Sequence, residues 1–221
     1  MPVRCVFCGT GTDRSEGRIC SGCRSDLPWI AIACPRCAEP LAVKPPPGVT
    51  CAECQARPSP IQMTVAPLLY EFPVDAGLKA LKFGRRLNYA PAFGGLLVEQ
   101  MPRLAGDVDA LLPVPLHWQR QAFRGFNQAL EICRPLARHC ALPIMTGVAR
   151  RRATPFQSGL AAAQRRRNLR QAFVVGKTPR FRHVLIVDDV VTTGETTRQL
   201  AMALVRRGVK KVSVLAVARA A

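Results

Sequence analysis

Fourteen residues near the end of the chain constrain everything before them: Val184-Leu185-Ile186-Val187-Asp188-Asp189-Val190-Val191-Thr192-Thr193-Gly194-Glu195-Thr196-Thr197. Four consecutive aliphatic residues predict a strand buried on both faces, the hallmark of a parallel sheet. Two carboxylates follow at its carboxyl end, the edge where open α/β sheets bind ligands. This position places both acids outside the core. Thr197, Leu200, Ala201, Leu204 and Val205 then recur at helical spacing as far as Gly208, a C-terminal cap.

The chemistry follows from the order strand, acids, hydroxyl-rich turn, helix. Backbone N–H groups of a Thr-Thr-Gly turn at a helix start form a concave anion site. Thr192, Thr193, Thr196 and Thr197 add hydroxyl donors. Asp188 and Asp189 supply anionic acceptors for sugar hydroxyls, or for a magnesium ion with its water shell. Such a loop suits a phosphate and the sugar attached to it. A receiver domain also carries paired acids after its first strand, but it needs about 100 further residues. Only 24 follow Thr197.

Residues 184–196 resemble the phosphoribosyl-pyrophosphate (PRPP) binding motif of type I phosphoribosyltransferases, without departure over thirteen positions. The resemblance implies that Asp188 and Asp189 hold the ribose 2′ and 3′ hydroxyls. It implies that Val191, Thr192, Thr193, Gly194, Glu195 and Thr196 hold the 5′-phosphate. Members acting on 6-oxopurines carry an Asp where this chain has Thr192, which argues against that substrate class.

The N-terminal part is organised differently. Eight of ten cysteines form four C-x-x-C claws: Cys5/Cys8, Cys20/Cys23, Cys34/Cys37 and Cys51/Cys54. Two claws complete a tetrahedral four-thiolate zinc site. Neighbouring claws are separated by 11 and 13 residues, which suits two ribbons. An interleaved cross-brace joining the first claw to the third is the alternative. A closed four-cysteine site leaves no open catalytic position, so the zinc is expected to be structural. Cys133 and Cys140 stand apart and suit buried thiols. Pro58-Ser59-Pro60 marks a stiff boundary, giving a zinc-ribbon domain over 1–60 and an α/β domain over 61–221.

Between the boundary and the acidic strand, Leu68–Phe72 predicts an edge strand and Ala76–Phe83 a helix with Leu78 and Leu81 inward. Lys79, Lys82, Arg85 and Arg86 then read best as a solvated face. Ala110–Pro115 predicts a second buried strand. Arg124-Gly125-Phe126-Asn127-Gln128 follows, with Asn127 as cap of a helix through Leu136. Gly125 permits close backbone approach, and Arg124 can clamp a phosphate oxygen. Strands alternating with helices from residue 109 support a mostly parallel sheet.

Charge adds a second theme. The formal net charge is +18, and no acid occurs from Ile132 to Val187, a span with twelve cations. Such a span favours polyanions. Arg165, Arg166 and Arg167 are its densest cluster and are expected to meet single-stranded nucleic acid. The long basic connection before Phe173 is expected to act as a lid that closes on pyrophosphate. No window approaches the roughly 18 apolar residues of a membrane span. The N-terminus lacks a signal-peptide core, so the expected location is the cytoplasm.

Taken with the claws, Arg124–Gln128, the basic Gln157 to Asn168 segment and the C-terminal motif, the whole chain resembles the ComF family of competence-associated proteins, including ComFC and GntX-like members. The resemblance implies a type I phosphoribosyltransferase fold after a double zinc ribbon, with two structural zinc ions and Mg²⁺ accompanying PRPP. It further implies a role in natural transformation, where incoming single-stranded DNA is handled beside membrane-associated uptake machinery. If transfer occurs, Asp188 and Asp189 orient the ribose. Arg124, with Pro113, Val114 and Pro115 as the pyrophosphate loop, stabilises the leaving group.

Overall fold

The computed structural model describes residues 3–12, 17–104, 106–151, 172–176 and 180–220. Its centre is a parallel sheet in the order β3 (Ile61–Val65), β9 (Lys211–Arg219), β8 (His183–Val191) and β5 (Ala110–Pro113). The short β4 (Leu68–Leu69) runs parallel to the end of β9. Beyond β5, Leu111 donates to the Pro143 carbonyl at 2.9 Å and accepts from the Met145 amide at 2.8 Å, so the apolar stretch 142–148 extends the sheet by one bridge. A separate antiparallel pair, β6 (Val148–Arg150) and β7 (Phe173–Val175), lies at residues 148–175.

β8 and β9 are buried over almost their whole length, as an apolar run in a parallel sheet requires. Because side chains alternate faces along a strand, Leu185 and Val187 join one core and Val184 and Ile186 the other. The first core is completed by α3 (Val74–Lys82), α4 (Tyr89–Val98) and α6 (Gln128–Cys140), through residues such as Leu78, Phe93 and Ile132. A β-carbon on Gly94 would meet Pro135 Cγ at 2.8 Å and the Ile132 carbonyl at 2.9 Å, so only glycine allows α4 to approach α6 this closely. The second core packs under α7 (Glu195–Arg206) through Leu200, Ala201 and Leu204. α7 ends as the glycine predicts: Gly208 has φ +96°, its amide bonds Val205, and the Val209 amide bonds Leu204. Val205 departs from the expected inward pattern and is 41% exposed.

The cysteine-rich part includes β1 (Val3–Arg4) paired with β2 (Gly11–Thr12), and two single-turn helices, α1 (Ser21–Ser25) and α2 (Ala52–Ala56). It does not hang from a linker. Ile19 and Leu27 are buried in the first core of the sheet, and the Phe7 ring lies 5.7 Å from Tyr89 and 6.3 Å from Phe93. The Ile30 amide bonds the Pro67 carbonyl, and the Leu69 amide bonds the Pro28 carbonyl. Further along, the Thr64 hydroxyl bonds the Arg36 carbonyl at 2.6 Å. Among the described residues, no helix is long and apolar enough to cross a membrane.

Candidate functional site

The cysteines settle the claw pairing. Cys5, Cys8, Cys20 and Cys23 form one group and Cys34, Cys37, Cys51 and Cys54 the other, with the sulfur atoms of each group within 4.8 Å of one another. Neighbouring claws pair, not first with third. The Sγ–Sγ distances Cys8–Cys20 and Cys37–Cys51 are both 3.6 Å, and none of the thiols is in a disulfide. Tetrahedral thiolates at a Zn–S distance of about 2.3 Å lie roughly 3.8 Å apart. The donor sets therefore fit zinc, and both are closed structural sites.

The acidic pair sits differently from the strand-end expectation. β8 continues through Val191, so Asp188 and Asp189 are strand residues, only 8% and 4% exposed. Their carboxyl groups lie beside each other, within reach of a side-chain hydrogen bond. Asp189 points to the side of α3 and α6. There it forms an ion pair with Lys82 and accepts from Gln128 Nε2 at 3.2 Å. Asp188 accepts from the Asp189 amide at 2.9 Å. Burial, and then the Asp189 carboxylate beside it, push Asp188 well above the usual carboxylate range. Asp188 also lies within electrostatic reach of Arg150, whose own value is lowered by burial and partly restored by that carboxyl.

Lys82 is the principal residue that sequence reasoning misassigns. It caps the buried stripe of α3, and its side chain is 18% exposed rather than solvated. A cation next to an amphipathic stripe is the only local signal. Its partner lies 107 positions away, and the helix–sheet register that joins them is a tertiary fact.

The segment 124–128 is a helix–helix junction. Arg124 ends α5 (Trp118–Arg124) and Gln128 begins α6. Gly125 has φ +83°, and a β-carbon placed there would have nothing within 4 Å, so it serves the left-handed turn and not close approach. Asn127 caps α6 as expected, accepting from the Ala129 amide at 3.0 Å, and its Nδ2 donates to the Val114 carbonyl at 3.0 Å. Arg124 donates to Gln128 Oε1, and its guanidinium lies 5.3 Å over the Phe83 ring. Burial lowers its proton affinity, partly offset by Asp189. Arg124, Gln128, Asp189 and Lys82 thus form one polar chain from α5 to α3.

Pro113, Val114 and Pro115 are buried at the end of β5. The prolines carry no N–H, and the Val114 amide already donates to the Val187 carbonyl at 2.9 Å. This segment therefore offers no spare backbone donor to an anion.

The hydroxyl-rich turn does present one. Thr192 and Thr193 are exposed, Gly194, Glu195 and Thr196 half-buried, and Val191 buried. Gly194 has φ +68°, which turns the chain out of β8 and into α7. The first-turn amides of α7 have no intrahelical acceptor; of these, the Glu195 amide meets Thr193 Oγ1 at 3.4 Å. The Glu195 side chain instead accepts from Arg198 Nε at 3.0 Å and Gln199 Nε2 at 2.7 Å. Burial raises its pKa, but these bonds outweigh it and leave Glu195 below its ordinary value.

Arg219 braces this turn, and the sequence gives little sign of it beyond an arginine closing an apolar strand. It is 9% exposed, and its Nη1 donates to the Thr192 carbonyl while its Nη2 pairs with Glu39 in the second ribbon. A small cavity of about 80 Å³ lies between the turn and that ribbon, lined by Thr193, Gly194, Arg198, Cys37 and Cys54 among others. Arg165, Arg166, Arg167 and most of the expected lid lie outside the described residues.

Residues 1–55 match the double zinc ribbon domain family. The chain is 36% identical over 226 residues to the DNA utilization protein YhgH of Salmonella typhimurium, covering 99% of this chain and 98% of that protein. It is 36% identical over 227 residues to YhgH of Escherichia coli strain K12, with the same coverage. It is 29% identical over 231 residues to Competence protein F of Haemophilus influenzae, covering 98% and 97%. A crystal structure of a purine phosphoribosyltransferase from Pyrococcus horikoshii aligns at a TM-score of 0.34 and 16% identity, covering 58% of this chain and 80% of that one.

Proposed function

The chain belongs to the ComF family, together with the DNA utilization protein YhgH and Competence protein F, and from that premise we propose that it binds PRPP at the β8–α7 turn and handles single-stranded DNA during DNA uptake. The observation that carries the reading is the turn itself: a left-handed Gly194 after two exposed threonines, at a helix N-terminus, on the strand that carries two buried carboxylates. The first-turn amides and the Thr192, Thr193 and Thr196 hydroxyls hold the 5′-phosphate. Asp188 and Asp189 take the ribose hydroxyls. Arg124 approaches the pyrophosphate from the α5 side.

Mg²⁺ fits this site as a passenger on the ligand. The two carboxyls are hard oxygen donors, but Asp189 is paired with Lys82 and Asp188 holds its proton above the usual range. The metal would screen the pyrophosphate charge, with water and phosphate oxygens completing its shell. The zinc ions have a structural role and no part in this chemistry.

A second reading is a DNA-binding module that keeps the phosphate-sugar turn without catalysing transfer. It is favoured by the engagement of Asp189 with Lys82 and Gln128, which uses acceptor capacity that a ribose needs. Pyrophosphate release from PRPP across a set of nucleobases separates the two. Release with any base supports a transferase; saturable PRPP and DNA binding with no release supports the module; absence of PRPP binding refutes the site assignment.

A further inference from the structure

A cleft of about 620 Å³ opens between the end of α3 and α5, beside Lys82. Four cations line it: Lys82, Arg85, Arg120 and Arg124. Among the described residues, no carboxylate does. Two rings share it, Phe83 at 72% exposure and Phe123 at 86%. A lone exposed phenylalanine needs no explanation, but two in one basic cleft mark an interaction site. Neither ring belongs to the hydrophobic core; the Arg124 guanidinium lies over one face of Phe83, and both rings keep most of their surface open.

We propose that this cleft is the single-stranded nucleic-acid site, with bases stacking on Phe83 and Phe123 and phosphates pairing with Arg85 and Arg120. The proposal deepens the DNA-handling half of the function argued above and rests on it. Stacking rings inside a cationic groove are the combination that unpaired strands use, because every base offers a π-face and every linkage a charge. A duplex hides its base faces, so it satisfies the arginines and leaves the rings unused. An acidic peptide likewise meets the charges but gains little from flat rings. The position differs from the expectation drawn from composition, which looks to the arginine-dense span after residue 132. The cleft also shares Lys82 and Arg124 with the polar chain around Asp189, so the two proposed sites have residues in common.

The test uses the zinc-loaded full chain and a fluorescent oligothymidylate of about 12 nucleotides, within the range one site occupies. Each of Phe83→Ala and Phe123→Ala should weaken binding by about 5- to 100-fold, and Phe123→Tyr should restore it. Arg85→Ala and Arg120→Ala should each flatten the log–log salt slope by about 0.7. Calorimetry with Mg²⁺–PRPP should give the same affinity for Phe123→Ala as for the parent chain, which also verifies that the variant is folded. Parent-level DNA affinity in both phenylalanine variants would overturn the cleft while leaving DNA handling intact. Equal displacement of the oligonucleotide by polyglutamate at matched charge would overturn the nucleic-acid assignment in favour of an acidic protein partner. No binding of the oligonucleotide by the parent chain at low salt would refute both this proposal and the reading beneath it.

Discussion

Lys82, the last residue of α3, forms an ion pair with Asp189 in the middle of a nearly continuous buried run on β8. The two residues lie on different layers of the domain, and the pair ties the helix to the sheet where ligand is expected. Gln128 donates to the other oxygen of the same carboxylate. Asp188, its neighbour in sequence, accepts from the Asp189 amide and, among the described residues, meets no cation as closely; burial and the adjacent Asp189 carboxylate raise its proton affinity.

This asymmetry predicts opposite effects of two similar substitutions. Asp189→Asn leaves the largely buried Lys82 ammonium without its counter-charge and should destabilise the chain by about 1–3 kcal/mol. Asp188→Asn removes a carboxyl that burial already disfavours in its charged form, and should be neutral or stabilising at neutral pH. Urea midpoints of the two variants against the parent chain check this. A loss of stability in Asp188→Asn equal to that in Asp189→Asn would contradict it.

The pH dependence follows from the same group. Asp188 has a raised value in the folded state, so folding retains a proton that the unfolded chain loses near 3.8, its ordinary value. The contribution of the protonated form is fully present below 3.8 and is lost as pH rises toward the raised value. The stability advantage of Asp188→Asn should therefore grow as pH rises from about 4 and level off. Midpoints of both proteins measured from about pH 4 to 8 give the difference curve; a difference that shrinks over this range would refute the assignment.

Arg219 links the second ribbon to the β8–α7 turn, through Glu39 on one side and the Thr192 carbonyl on the other. Arg219→Met should loosen residues 191–195, seen as faster amide exchange there, and should weaken PRPP binding by about 10-fold, the equivalent of one charge-assisted hydrogen bond. Glu39→Gln should do the same to a smaller extent, because its carboxylate is partly exposed. Unchanged exchange in both would show that the turn holds its shape without the brace.

The zinc sites should be stoichiometric and structural. Metal analysis of reductively purified protein is expected to give two zinc ions per chain, one for each four-cysteine group. Because Ile19 and Leu27 lie in the same core as Phe93 and Leu96, chelation should lower the thermal midpoint of the entire chain in one transition. A sheet domain that melts at its original temperature after zinc removal would show that the ribbons are merely attached.

Much of this is legible in the sequence, and the reasons are physical. Long apolar runs such as 184–187 and 212–217 have few structural solutions, so β8 and β9 can be placed, as can Asn127 as the cap of α6. The claws can be read because metal geometry fixes ligand spacing. What escapes depends on tertiary register. Lys82 reads as a solvated cation until α3 is laid on β8. Asp188 and Asp189 read as a strand-end pair outside the core until the strand is seen to continue to Val191 and bury them both. Gly125 reads as a point of close approach, whereas its left-handed φ serves the α5–α6 turn. The stiff proline boundary at residue 60 says nothing of the contacts made across it, such as Phe7 packing on Tyr89.

The decisive measurement is a calorimetric titration of Mg²⁺–PRPP into the zinc-loaded parent chain and into the Asp188→Asn/Asp189→Asn double variant, with circular dichroism confirming that both are folded. A PRPP site built on the β8–α7 turn predicts saturable one-to-one binding to the parent and no detectable heat with the double variant. Equal affinity in the two proteins, or no binding to the parent, would contradict it.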